Sequence, residues 1–102
     1  MEREVVLLDE ASKDLTALGL YIADQASEAV ANRYLDRLLA ACISLAHFPE
    51  RGTKRDDILP GLRTVGFERR VTIAFRVLKT RVEIVTIAYA GRDFAGELSK
   101  RK

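Results

Sequence analysis

Eight basic residues crowd the stretch from position 54 to 81: Lys54, Arg55, Arg63, Arg69, Arg70, Arg76, Lys79 and Arg81. Guanidinium forks match phosphate and carboxylate oxygens two at a time, so a cluster of them is suited to an anionic partner. A metal-independent ribonuclease would use such groups to hold the scissile phosphate and to stabilise its transition-state charge. It would also need a proton acceptor for the 2′-hydroxyl and a donor for the leaving oxygen. The single histidine, His47, precedes the basic stretch, and Tyr89 could move a proton only with a strongly lowered pKa. The arginines therefore read better as a partner-binding or solvated surface than as a catalytic centre.

Other chemistries find less support. One His and one Cys cannot build a tetrahedral nitrogen–sulfur metal site, and no carboxylates stand at ligand spacing. No phosphate-binding glycine loop or dinucleotide fingerprint is present, and no cofactor is expected. His47 lies in LAHFP at the end of a helical pattern, where interaction with the helix dipole is the simpler role. Cys42 sits among Leu38, Ala41 and Leu45 and reads as a small buried hydrophobe.

The elements that must position the arginines follow from periodicity. Glu4–Leu8 is a short, apolar, β-branched strand. Asp9 is placed to cap a helix in which Ala11, Leu15, Leu18, Ile22 and Ala26 recur at spacings of three and four, to about Gln25. Gly19 falls inside it. Ser27 is placed to cap a second helix carrying Val30, Tyr34, Leu38, Ala41, Leu45 and Phe48, stopped by Pro49 and Gly52. The short connection predicts an antiparallel helical hairpin. A polar loop, PERGTKRDD, follows.

Three strands complete the pattern. The first is Leu62–Phe67. The second is Arg69–Leu78, where Val71, Ile73, Phe75 and Val77 alternate with Arg70, Thr72, Ala74 and Arg76. Arg70 and Arg76 are therefore expected on one face. The third is Arg81–Ala90, apolar on both parities as in a strand covered on both sides. Arg63 lies on the neighbouring strand, and Arg92 follows the last one. The order β-α-α-β-β-β makes the fold α+β, with the hairpin on one face of a mainly antiparallel sheet that the first strand must join. The arginine-bearing face is expected to be at least partly open.

Composition agrees with one soluble domain over residues 1–102. The chain is 48% hydrophobic and 31% charged. No apolar run approaches a membrane span, and the acidic start MEREVVLLDE is unlike a signal peptide, so the expected location is the cytoplasm. The net charge of +2 conceals an asymmetry: residues 1–50 hold nine acidic and four basic residues, whereas residues 51–81 hold nine basic and three acidic. Such segregation gives an anionic partner a preferred face.

In this order the pieces are familiar. The apolar start before DEASKDLTALGLYIAD, the helix ending SLAHFPERG, the LPGLR turn, the VTIAFRV strand and the closing VEIVTIAYAGRDF span nearly the whole chain. Together the chain resembles the ParE toxins of the RelE/ParE superfamily, the toxin halves of bacterial type II toxin–antitoxin, or plasmid stabilisation, systems. The best-matched positions are Gly61, Leu62 and Arg63, then Gly91, Arg92 and Asp93. Arg92 and Asp93 read equally as an ion pair and as a binding element.

The resemblance implies a helical hairpin packed on an antiparallel sheet, and a cognate antitoxin, ParD-like or similar, that wraps and neutralises the toxin. An antitoxin segment could add a helix and a strand to an exposed edge, its acidic residues meeting the arginines. It also implies two targets. RelE-like members cleave mRNA on the ribosome with basic residues and a C-terminal aromatic or histidine. ParE-like members inhibit DNA gyrase and lack that set. Where many relatives carry a histidine before the final glycine, this chain reads YAGRD with Tyr89, and its basic strand has no evident general base.

The expected function is thus a gyrase-inhibiting toxin that acts by protein binding, with Lys54, Arg63, Arg70, Arg76 and Arg92 as partner-binding candidates. A ribosome-dependent mRNA endonuclease is the alternative, with Arg63, Arg70, Arg76 and Arg92 on phosphate and Tyr89 in proton transfer. A degenerate, non-toxic family member that still binds an antitoxin is a third reading.

Overall fold

The computed structural model describes residues 3–89. Among these residues seven elements occur in the order β1 Glu4–Leu7, α1 Asp9–Gln25, α2 Glu28–Ser44, β2 Thr53–Lys54, β3 Leu62–Phe67, β4 Val71–Val77 and β5 Arg81–Tyr89. They build two helices and a five-stranded mixed sheet, ordered β1-β5-β4-β3-β2. The strands β2 to β5 form an antiparallel series, as the short connections require. β1 joins the same sheet by pairing parallel to β5, Glu4 opposite Arg81 and Leu7 opposite Ile84. The connection between them runs through the helical hairpin and then through β2, β3 and β4. Among the described residues, no helix is long and apolar enough to cross a membrane.

The helices begin differently. Ser27 caps α2, its Oγ accepting the Val30 N–H at 3.1 Å. Asp9 is not a cap. It is the first residue of α1, and Leu8 holds the cap position without a side-chain acceptor. Asp9 and Glu10 instead place negative charge in the first turn, where the helix dipole favours it. Gly19 has a packing reason: a Cβ there would come within 2.9 Å of the Leu35 Cδ1 on α2.

The main core lies between the hairpin and one sheet face. Ala11, Leu18, Leu38 and Cys42 from the helices meet Val71, Ile73, Phe75, Val82, Ile84 and Ile87 from the sheet. Every residue of β5 from Val82 to Ala88 is buried, as a strand flanked and covered on both faces should be. The other face is partly closed as well. Leu62, Ala74 and Val85 form a second apolar cluster with Ile58, and Leu8 and Leu59 pack against it. The loop before β3 thus folds under the sheet and covers part of the face expected to be open.

One shifted boundary and one unexpected strand have consequences. β4 starts at Val71, because Phe67–Arg70 form a hairpin turn in which the Arg70 N–H donates to the Phe67 carbonyl at 3.3 Å. Glu68 and Arg69 sit at φ 47° and 63°, the left-handed pair that tight hairpins use. The two-residue strand β2 had no sequence signal of its own. It pairs Lys54 with Arg63 at the sheet edge. Of the strand predicted to end at Ala90, that residue lies outside the described residues, as do Arg92 and Asp93.

Candidate functional site

The arginines do not converge. Cross-strand partners project from the same face, so Arg63, opposite Phe75, points to the helix-bearing side. Arg76, opposite both Leu62 and Glu83, points to the other side. Arg70, expected beside Arg76, lies in the turn before β4 and lines a cavity on the helix-bearing side. Alternation describes a strand and fails one residue beyond its end.

Arg76 is also not free to take an anion unaided. Its Nη2 meets the Glu83 Oε1 at 2.7 Å, and the Arg81 Nη2 meets the other Glu83 oxygen at 2.7 Å. Glu83 is only 5% exposed. The Arg76 hydrogen bond, seconded by the charges of Arg76 and Arg81, holds its carboxyl below the usual range against the opposing effect of burial. The triplet keeps one excess positive charge. The Arg76 Nε is buried with no hydrogen-bond partner among the described residues.

Lys54 and Arg63 line a cavity of about 300 Å³ at the opposite sheet edge, together with Glu50 and Asp56. The Arg63 Nη1 donates to the Arg51 carbonyl at 3.3 Å, and Asp56 accepts the Gly61 N–H at 2.8 Å. Two cations and two carboxylates make this cavity close to neutral, which gives an anion little preference for it.

The two remaining candidates among the described residues do come together. Arg70 and Tyr89 line one cavity of about 500 Å³ with Tyr21, Ile22, Val30 and Tyr34. The end of α1, the start of α2, the end of β5 and the β3–β4 turn supply its walls. The rings of Tyr21 and Tyr89 stand 5.4 Å apart at 58°, and Tyr34 meets Phe67 edge-on at 5.6 Å and 80°. Arg37 locks the turn from α2 by a two-pronged contact to Glu68, at 2.9 and 3.0 Å, and lies 5.3 Å over the Tyr34 ring. That bond lowers the Glu68 pKa below its ordinary value. Burial pushes the Tyr34 hydroxyl up, and the Glu68 and Tyr89 charges add to the effect against the opposing Arg37 and Arg70.

Tyr21, Tyr34 and Glu68 were not recognised as site residues from the sequence. Tyr34 occupies a core-facing position of a helical stripe, and 36 residues separate it from Arg70. No local pattern could join them. Among the described residues, no group of three or more His, Cys, Asp and Glu side chains is arranged to hold a metal ion.

With the fold and this geometry in place, known proteins give a consistent answer. The family model described as the ParE toxin of the type II toxin–antitoxin system parDE matches residues 5–94. No curated protein matches the sequence. Among solved structures, the chain is similar to one from the chromosomal ParDE toxin–antitoxin system of P. aeruginosa. That match has a TM-score of 0.76 at 21% identity and covers 87% of this chain and 97% of that one. It is similar to a chain of the RelBE2 toxin–antitoxin complex from Mycobacterium tuberculosis, with a TM-score of 0.63 at 17% identity, covering 87% and 99%. A doubly substituted E. coli toxin RelE in its free state matches with a TM-score of 0.68 at 12% identity, covering 99% and 97%. At these identities the structures establish a shared fold, while the family match runs over most of the sequence. The chain belongs to the ParE toxin family of type II toxin–antitoxin systems.

Proposed function

We propose that this toxin acts by binding a protein, DNA gyrase, and that a cognate ParD-like antitoxin holds it inactive in the bacterial cytoplasm, with residues 1–102 forming one toxin domain. The observation that carries the reading is the dispersal of its cations. Arg63 and Arg76 project from opposite sheet faces, and Arg76 is engaged by a buried carboxylate. Phosphoryl transfer on RNA needs several such groups around one phosphate, with a base and an acid in reach. Surface binding has no such requirement, because separate patches can each meet their own part of a partner.

A second reading, ribosome-dependent mRNA cleavage, draws on one specific observation: Arg70 and Tyr89 line the same cavity. The third tyrosine there favours it less, because burial keeps the Tyr34 hydroxyl protonated and leaves no phenolate to accept a proton. The gyrase reading is tested by adding purified toxin to a supercoiling assay. Inhibition that the antitoxin reverses is expected. Unimpaired supercoiling at toxin concentrations well above those of gyrase would refute it.

A further inference from the structure

The tyrosine-lined cavity has three properties that together point to an occupant. Its mouth is apolar and exposed: Tyr21 and Val30 are 49% and 39% accessible. Its wall includes the Tyr34 ring, whose Oη is buried with no hydrogen-bond partner among the described residues. Its rim carries an unneutralised cation. Arg37, Arg55, Arg76 and Arg81 each face a carboxylate, whereas Arg70 has none among the described residues. Glu68, two residues away, is already held by Arg37.

The backbone fixes this arrangement. Two successive non-glycine residues in the left-handed region are costly, and such conformations persist where the surroundings impose them. Here the Arg37–Glu68 bond anchors the turn, and Arg70 emerges from it toward the tyrosines.

The geometry points to this cavity as the docking site for an acidic segment of the cognate antitoxin, with one apolar side chain packed against the Tyr21, Tyr34 and Tyr89 rings and a neighbouring carboxylate on Arg70. The inference rests on the antitoxin pairing of the family and specifies where and by what chemistry it occurs. Charge complementarity selects the occupant, because Arg69 and Arg70 leave the turn positive after Glu68 is paired. A guanidinium–carboxylate contact beside a dry aromatic wall is stronger than one in open water. Ile22 and Val30 offer a nucleobase no hydrogen-bonding edge, so an apolar side chain fits the walls better than RNA does.

The test is calorimetric titration of full-length cognate antitoxin into the toxin and into Arg70→Glu, Val30→Asp and Lys79→Glu variants. Octauridylate serves as a parallel RNA probe. All three substituted positions are exposed, and thermal melts establish that the variants fold. Arg70→Glu and Val30→Asp should each weaken antitoxin binding about tenfold or more, as loss of a desolvated charged contact or of an apolar anchor does. Lys79→Glu, in the β4–β5 turn, should leave it within about twofold of wild type. Folded Arg70→Glu and Val30→Asp variants that bind as wild type does would overturn the docking site and leave the antitoxin pairing intact. A wild-type toxin that fails to bind the antitoxin overturns the pairing itself. Arg70-dependent binding of octauridylate that antitoxin does not displace would also overturn the inference, assigning the cavity to RNA.

Discussion

Asp14 on α1 accepts the backbone N–H of Ile87 on β5 at 2.9 Å, across 73 positions of sequence. The same carboxylate oxygen takes the Thr86 hydroxyl. β1 pairs with β5 only as far as Ile84, so the rest of β5 would leave polar backbone unmatched on that side. Asp14 takes over where the strand stops. It is a charged residue on an otherwise apolar helix face, only 7% exposed, and this bond explains its burial.

Replacing Asp14 with Ala should therefore destabilise the fold by about 2 kcal/mol or more, since two buried donors lose a charged acceptor. Asn keeps one acceptor oxygen and should cost less. Urea unfolding midpoints check the order wild type, Asp14→Asn, Asp14→Ala. An alanine variant as stable as wild type would contradict this role.

The Glu83 triplet predicts an acid-sensitive component of stability. Its folded pKa is depressed, chiefly by the Arg76 hydrogen bond. Its contribution is then complete above the unfolded carboxylate value, about 4.3, and is lost as pH falls through the lower folded value. Glu83→Gln should flatten that part of the stability–pH curve. Some slope should remain from Glu68 and Asp57, which Arg37 and Arg55 hold low in the same sense. Stability measured from pH 3 to 7 distinguishes the cases, and an unchanged slope in the Gln variant would count against the triplet.

Two glycines with nearly equal φ should respond differently to substitution. Gly52 has φ +78° and Gly61 +79°. A Cβ on Gly52 would overlap the Thr64 carbonyl oxygen, whereas nothing lies within 4 Å of one on Gly61. Gly61→Ala should cost about 1–2 kcal/mol, the left-handed penalty alone. Gly52→Ala should cost distinctly more and displace β2 from β3. Chemical denaturation of the two variants checks the difference, and equal losses would contradict it.

Much of the frame was legible in local patterns. Period-two alternation found β4, a run apolar on both parities found β5, spacings of three and four found both helices, and Ser27 was recognisable as a cap. What escaped depends on partners distant in sequence. The parallel pairing of β1, the Asp14–Ile87 bond and the Glu83 clasp on Arg76 each require the finished sheet. Arg70 was misplaced for a local reason. Its parity matched Arg76, but the turn at Glu68 and Arg69 carries no glycine or asparagine to announce it. The second apolar cluster escaped too, because Ile58 and Leu59 stand between a polar loop and the Pro60-Gly61 turn, outside any periodic run.

Cys42 is buried, and desolvation pushes its thiol up to about 11. At pH 8 the native thiolate fraction is then on the order of a hundredfold below that of the unfolded chain. A disulfide-exchange reagent should label native toxin at least that much more slowly than urea-unfolded toxin. Comparable rates would place Cys42 outside the core.

The central claim is that this toxin works by binding protein and not by cutting RNA. The most direct measurement adds the same toxin preparation to a gyrase supercoiling assay and to a translating-ribosome assay read by primer extension. Inhibited supercoiling with intact mRNA is the predicted result. Codon-dependent mRNA cuts with normal supercoiling, abolished by Arg70→Ala or Tyr89→Phe, would contradict it.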